Sequence, residues 1–135
     1  KDIAPVRFLR EIRTDETTER GSKIDVSAFA VGDVVTVSAV SKGKGFQGVV
    51  KRHGFHGGPR SHGQKHSERE PGSIGGGPGR AGGRVVKGMR MAGRTGGDTV
   101  TVKGLKVVAV DADTIYISGA VPGRRGTIVR IVSEN

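Results

Sequence analysis

Gly43-Lys44-Gly45-Phe46-Gln47-Gly48 matches the G-x-G-x-x-G pattern with which dinucleotide-binding folds bring backbone amides against a pyrophosphate. That chemistry needs a helix N-terminus straight after the last glycine to receive the charge. Here Val49-Val50-Lys51-Arg52 reads as strand or extended chain. The stretch is therefore a basic loop whose glycines admit phosphates to the backbone and whose Lys42 and Lys44 supply charge, and no cofactor is expected. Four histidines follow, His53 and His56 three apart, His62 and His66 four apart. Zinc uses such spacings where a helix or tight knuckle converges the ligands, commonly beside Cys or carboxylate. Neither is evident, so no metal is expected, and histidines interleaved with Arg60, Lys65 and Arg69 fit phosphate contact or base stacking better. Ser61-His62 and the acids Glu68 and Glu70 lack an apolar wall to perturb a pKa and a rigid element to fix distances. No catalytic residue, and so no enzyme, is expected.

The elements that would position these residues lie on either side of them. Asp33–Val40, Thr99–Lys103, Leu105–Asp111, Thr114–Ser118 and Thr127–Val132 are short, β-branched and largely alternating, which predicts strands. Gly32-Asp33, Lys103-Gly104, Asp111-Ala112-Asp113 and Pro122-Gly123-Arg124-Arg125-Gly126 supply turns. Val6, Phe8 and Ile12 suggest one more strand near the start, with Thr14 to Lys23 a charged loop. Short strands at regular spacing predict an all-β fold, a small barrel or sandwich whose two sequence halves pair across an insertion. The β-domain would comprise residues 1–41 and 98–135, and residues 42–97 a Gly-rich basic extension of irregular structure.

Charge separates the same regions. The chain holds 23 Lys and Arg against 13 Asp and Glu. Residues 1–40 carry six basic and seven acidic side chains, residues 41–98 twelve and three, and residues 99–135 five and three. The middle also holds 18 of the 24 glycines and only scattered apolar residues, too few to offset the entropy of ordering it alone. Arg80, Arg84, Lys87, Arg90 and Arg94 run without an acid among them, unlike a solvated surface, which mixes both signs. A polyanion is the implied partner. No apolar run approaches the length needed to span a bilayer, and no basic amphipathic helix is evident, so no membrane is expected, and without a catalytic site no small-molecule substrate is expected either. Major-groove reading of DNA wants a rigid helix or β-ribbon, whereas a flexible cationic arm suits the irregular interior of a folded RNA. The chain starts at Lys1, and its first residues carry no apolar signal core, so the start reads as processed or as the edge of a fragment.

Val40-Ser41-Lys42-Gly43-Lys44-Gly45-Phe46-Gln47-Gly48-Val49-Val50-Lys51-Arg52, then Ser61-His62-Gly63 and Arg69-Glu70-Pro71-Gly72-Ser73-Ile74-Gly75, resemble the large-subunit ribosomal protein L three family. Val86-Lys87-Gly88-Met89-Arg90-Met91-Ala92-Gly93 and Gly119-Ala120-Val121-Pro122-Gly123 continue the resemblance in order. It runs from about Phe29 to Val132, and more weakly back to Arg7-Phe8-Leu9-Arg10-Glu11.

The resemblance implies a translation-protein-type β-barrel with a long extension threading into large-subunit ribosomal RNA toward the peptidyl transferase centre. It further implies a cytoplasmic ribosomal location, neighbouring ribosomal proteins as partners and a part in subunit assembly. The RNA-binding residues it implies are Lys42, Lys44, Lys51, Arg52, His53, Arg60, His62, Lys65 and Arg69 on the way out, and Arg80, Arg84, Lys87, Arg90 and Arg94 on the way back. Family members carry further N-terminal barrel strands, so a fragment or an incomplete barrel is expected here. Gly76 stands where some bacterial members have a methylated Gln, so that modification is not expected, and the loop 76–84 is slightly long for the family. The rival readings are a nucleotide-dependent enzyme, which would bind dinucleotide through Gly45, and an extraribosomal protein adaptor.

Overall fold

A computed structural model describes residues 4–13, 17–76 and 82–133. The strands are β1 (Val34–Val40), β2 (Gly45–Gln47), β3 (Gly93–Thr95), β4 (Thr99–Val110), β5 (Ile115–Ser118) and β6 (Val129–Ser133). A 3-10 turn at Val26–Ala28 and one short helix, α1 (Val49–His53), complete the elements among the described residues. The regular structure among the described residues is thus almost entirely β.

Four strands form one sheet in the order β5-β4-β1-β6, antiparallel throughout. β1 alternates because it is half-buried: Val35, Val37 and Ala39 point inward and are buried, while Thr36 and Ser38 alternate with them on the outer face. Val35 and Val37 meet Val107 of β4, and Phe29, Leu105, Val110, Ile115, Ile117, Val129 and Ile131 pack around these three. β1 therefore sits centrally, with strands from the far end of the chain on both sides. The segment before it is tacked onto the sheet by Gly32 N–H donating to the Val107 carbonyl at 2.9 Å and Val107 N–H to the Asp33 carbonyl at 3.0 Å.

Three local expectations are corrected. Lys103-Gly104 does not turn the chain. β4 runs straight through it, and the register passes from Val35↔Leu105 to Val37↔Val102, so that Lys103 and Gly104 together oppose Thr36. This is a β-bulge, and Gly104 accepts it at φ +71 because it has no Cβ to clash. Val6, Phe8 and Ile12 lie in irregular chain and are exposed, their alternation unsupported by any partner strand among the described residues. Val49–Arg52 is helical, not extended. Gly48 stands before its first residue, and Gly54, at φ 73, closes it with its N–H on the Val49 and Val50 carbonyls. Lys51, Arg52 and His53 fill the last turn, where positive charge complements the carbonyl end.

The helix restores the feature whose absence argued against a dinucleotide site, yet the topology still does not make one. That fold needs parallel strands joined by a crossover helix, whereas β2 pairs antiparallel with β3, and the helix is five residues long.

Candidate nucleic-acid interface

The insertion leaves and returns to the sheet at one place. Val40↔Thr99 is the last rung of the β1–β4 ladder, and Ser41 N–H donates to the Asp98 carbonyl at 2.9 Å just beyond it. The two limbs then pair again as a two-stranded ribbon, Gly45↔Thr95, Phe46↔Arg94 and Gln47↔Gly93, so the root of the insertion has regular structure where none is expected from composition. Lys44 N–H donates to the Thr95 carbonyl at 2.8 Å. Gly96 sits at φ +74 so close to the outgoing limb that a Cβ would collide with the Lys42 carbonyl oxygen. Ser41, Lys42, Lys44, Thr95 and Gly96 line an open cleft of about 440 Å³ at this root. Thr95 Oγ1 is buried there without a hydrogen-bond partner.

Above the ribbon, α1 clasps the returning limb. Arg52 Nη1 donates to the Met91 carbonyl at 2.9 Å, and His53 Nε2 lies 3.0 Å from the same oxygen, a distance that fits the tautomer carrying hydrogen on Nε2. These two residues were expected to face RNA, and in the free protein both are engaged in holding the limbs together. A Cβ on Gly93 would collide with the Arg52 guanidinium, so the close approach depends on glycine at that position.

Further out, residues 57–69 close on themselves. Gly58 N–H donates to the Glu68 carbonyl at 2.8 Å, and Arg60 Nε meets Glu68 Oε1 at 2.8 Å. The ion pair is largely exposed, so it contributes little to stability. It does leave Arg60 spoken for until an anion competes with Glu68. His62, Lys65 and Arg69 are exposed on this loop. An open hollow of about 590 Å³ beside it is lined by His53, Phe55, Gln64 and Glu70 from the outgoing limb and by Arg90 from the returning one.

Gly57 is the hinge of that closure. It sits at φ +79, and a Cβ there would collide with the Glu68 carbonyl oxygen. Gly57→Ala is therefore expected to open the loop. Amide exchange at Gly58 should accelerate roughly ten-fold or more, from about 1–2 kcal/mol of left-handed strain alone, while Val37 and Val107 amides in the sheet keep their protection. Unchanged exchange at Gly58 would show that the loop is not closed in solution.

Of the other residues expected to bind, Lys42, Lys44 and Lys51 are exposed around the root, and Arg84, Lys87, Arg90 and Arg94 are exposed on the returning limb. Arg80 and most of the loop tip lie outside the described residues. The described histidines and acids form no group of three or more suited to a metal ion, and no described helix is long and apolar enough to cross a membrane.

Sequence reasoning missed a second cationic patch. Lys103, Lys106 and Arg130 are exposed on the outward side of the sheet, and Thr36, Ser38, Lys103 and Arg130 share one shallow hollow. Ser38 and Thr101 hydroxyls meet there at 2.8 Å. Strand alternation carries the signal, because these residues fall between Val102, Leu105, Val107, Val129 and Ile131, which turn inward.

A family model for Ribosomal protein L3 matches residues 11–114. Large ribosomal subunit protein uL3 of Herpetosiphon aurantiacus is 48% identical over 130 residues, which take in 93% of this chain and 60% of the relative. The chain thus spans three fifths of the length of that curated relative.

Proposed function

Because the chain belongs to the ribosomal protein L3 family, we propose that it is a structural constituent of the large ribosomal subunit, in the cytoplasm, and binds large-subunit ribosomal RNA through residues 42–97. Its role is to hold RNA, not to catalyse a reaction. The observation that carries the reading is the coincidence of charge and architecture. Twelve of the 23 basic side chains fall within residues 41–98, on two limbs that are tied to each other at the root and leave most of those side chains exposed.

In this reading the four-stranded sheet belongs to a translation-protein-type β-barrel formed from residues 1–41 and 98–135, which stays at the subunit surface. The arm enters the RNA, its clasped root setting the direction and its exposed lysines and arginines neutralising phosphates on both limbs. Arg52 and His53 contribute by fixing the limbs, and Arg60 by exchanging Glu68 for a phosphate. Reaching toward the peptidyl transferase centre, the arm would join RNA segments distant in sequence, which is how such a protein supports subunit assembly. Neighbouring ribosomal proteins would meet the β-domain.

Tagged chain expressed in bacterial cells is expected to sediment with the large subunit through a sucrose gradient at low salt, and to leave it in high salt as phosphate contacts are screened. Sedimentation only at the top of the gradient, with soluble proteins, would refute the assignment and favour the extraribosomal adaptor.

A further inference from the structure

Phe46 is 84% exposed, the highest exposure among the large apolar side chains described. Leu9, Ile12 and Ile24 are also bare, but they stand in irregular chain. Phe46 differs because it is held in a paired strand, β2, directly opposite Arg94 of β3. Cross-strand partners project from the same face of a ribbon, so an aromatic ring and a guanidinium stand side by side facing solvent. Folding gains nothing from leaving the ring there.

The surroundings favour one kind of visitor. Gly43, Gly45 and Gly48 flank the ring along its own limb, and a Cβ on any of them would meet nothing within 4 Å, so a flat group can approach without obstruction. Lys42 and Lys44 are exposed just before it. A planar apolar surface beside several cations matches a nucleotide, whose base stacks on an aromatic face while its phosphates seek positive charge. A protein partner would have to bring apolar bulk up to a ring rimmed by Lys42, Lys44 and Arg94.

We propose that Phe46 and Arg94 form a stacking platform for one unpaired base of the RNA, with Phe46 offering its ring and Arg94 its guanidinium plane or a bond to the adjoining phosphate. The inference rests on the RNA-binding role proposed above and adds to it a contact that depends on π-surface and not on charge.

Filter binding of the full chain to purified large-subunit ribosomal RNA over a range of salt separates the two. Phe46→Leu keeps an apolar side chain without the π-face and is expected to weaken binding about ten-fold at every salt concentration, with the slope against salt unchanged, whereas Phe46→Tyr should stay within about two-fold. Arg94→Gln should lower the slope by about one phosphate's worth. Since the ring is exposed, none of these Phe46 variants should shift the melting temperature. A direct probe is available as well, because the chain has no Trp. Phe46→Trp should lose fluorescence as the RNA is added. Phe46→Leu binding like wild type, or an unquenched Trp, would overturn the platform while a steep wild-type salt dependence left the general role standing. A wild-type chain that failed to bind this RNA would instead sink the role on which the platform rests.

Discussion

Affinity for large-subunit ribosomal RNA should fall by about three to five powers of ten between roughly 50 and 200 mM salt, if six to ten phosphates are neutralised. Each phosphate contact releases a condensed counterion, so the logarithm of the binding constant falls linearly with the logarithm of salt at about 0.7–0.9 per contact. The structure bears on how many contacts to expect. Lys42, Lys44, Lys51, Lys65, Arg69, Lys87, Arg90 and Arg94 are exposed, and Arg60 becomes available once a phosphate displaces Glu68. Arg52 is tied to the Met91 carbonyl and would add little to the slope. Replacing Lys87, Arg90 and Arg94 together by Gln should therefore flatten the slope by about two to three and cost affinity chiefly at low salt. A wild-type slope near zero would leave the charge of residues 41–98 without the role assigned to it.

The four-stranded sheet was largely readable in the sequence because a half-buried strand writes its environment into alternation. Val34–Val40 keeps its inward Val35, Val37 and Ala39 apart from its outward Thr36 and Ser38, and the strand forms where that pattern lies. Gly104 shows the limit of the same reading. A glycine inside a β-branched run marks a departure from regular pairing, but whether it becomes a turn or a bulge depends on the strand opposite. Here Thr36 of β1 absorbs two residues of β4. That partner is more than sixty residues away, so nothing local distinguishes the outcomes.

The arm was readable as a charge, not as a shape. Its glycines and scattered apolar residues are those of a segment with no core, yet its root folds, because β2 and β3 lie next to a junction that β1 and β4 have already brought together. Loop-closure entropy is met by the sheet, so a short ribbon and a five-residue helix need only modest local gains: the burial of Val49, the Gly54 cap and the two bonds to Met91. This also separates the site residues that charge alone cannot separate. Arg52 and Lys51 are adjacent cations, but only Arg52 has the Met91 carbonyl in reach. The outward Lys103, Lys106 and Arg130 were passed over for the opposite reason, since they are sparse in sequence and gather only when three strands are laid side by side.

Excising residues 43–96 should abolish RNA binding while leaving the sheet folded. The excised piece carries eleven basic and two acidic side chains, so the formal charge drops from +10 to +1, and both steering and phosphate neutralisation go with it. The core does not go. Val35, Val37 and Val107, with the seven residues packed around them, all lie outside the excision, and Val49 is the one fully buried residue lost among those described. The ends are already placed for joining, because Ser41 N–H donates to the Asp98 carbonyl and Gly97 stands at φ 74. Linking Lys42 to Gly97 makes a two-residue hairpin between Ser41 and Asp98, and Lys42→Asn would supply the Asn-Gly pair that such turns favour, since both central residues then accept positive φ. Circular dichroism should retain the β signature, amides of Val37 and Val107 should stay protected from exchange, and filter binding at low salt should show no retention above a neutral control. Where the spliced chain bound RNA as tightly as the intact one, the binding surface would have to be the outward face of the sheet around Lys103, Lys106 and Arg130, and the arm would lose its function. Where the splice failed to fold, the Lys87, Arg90 and Arg94 triple replacement carries the same test, because those side chains are exposed and their loss leaves every rung of β1–β4 in place.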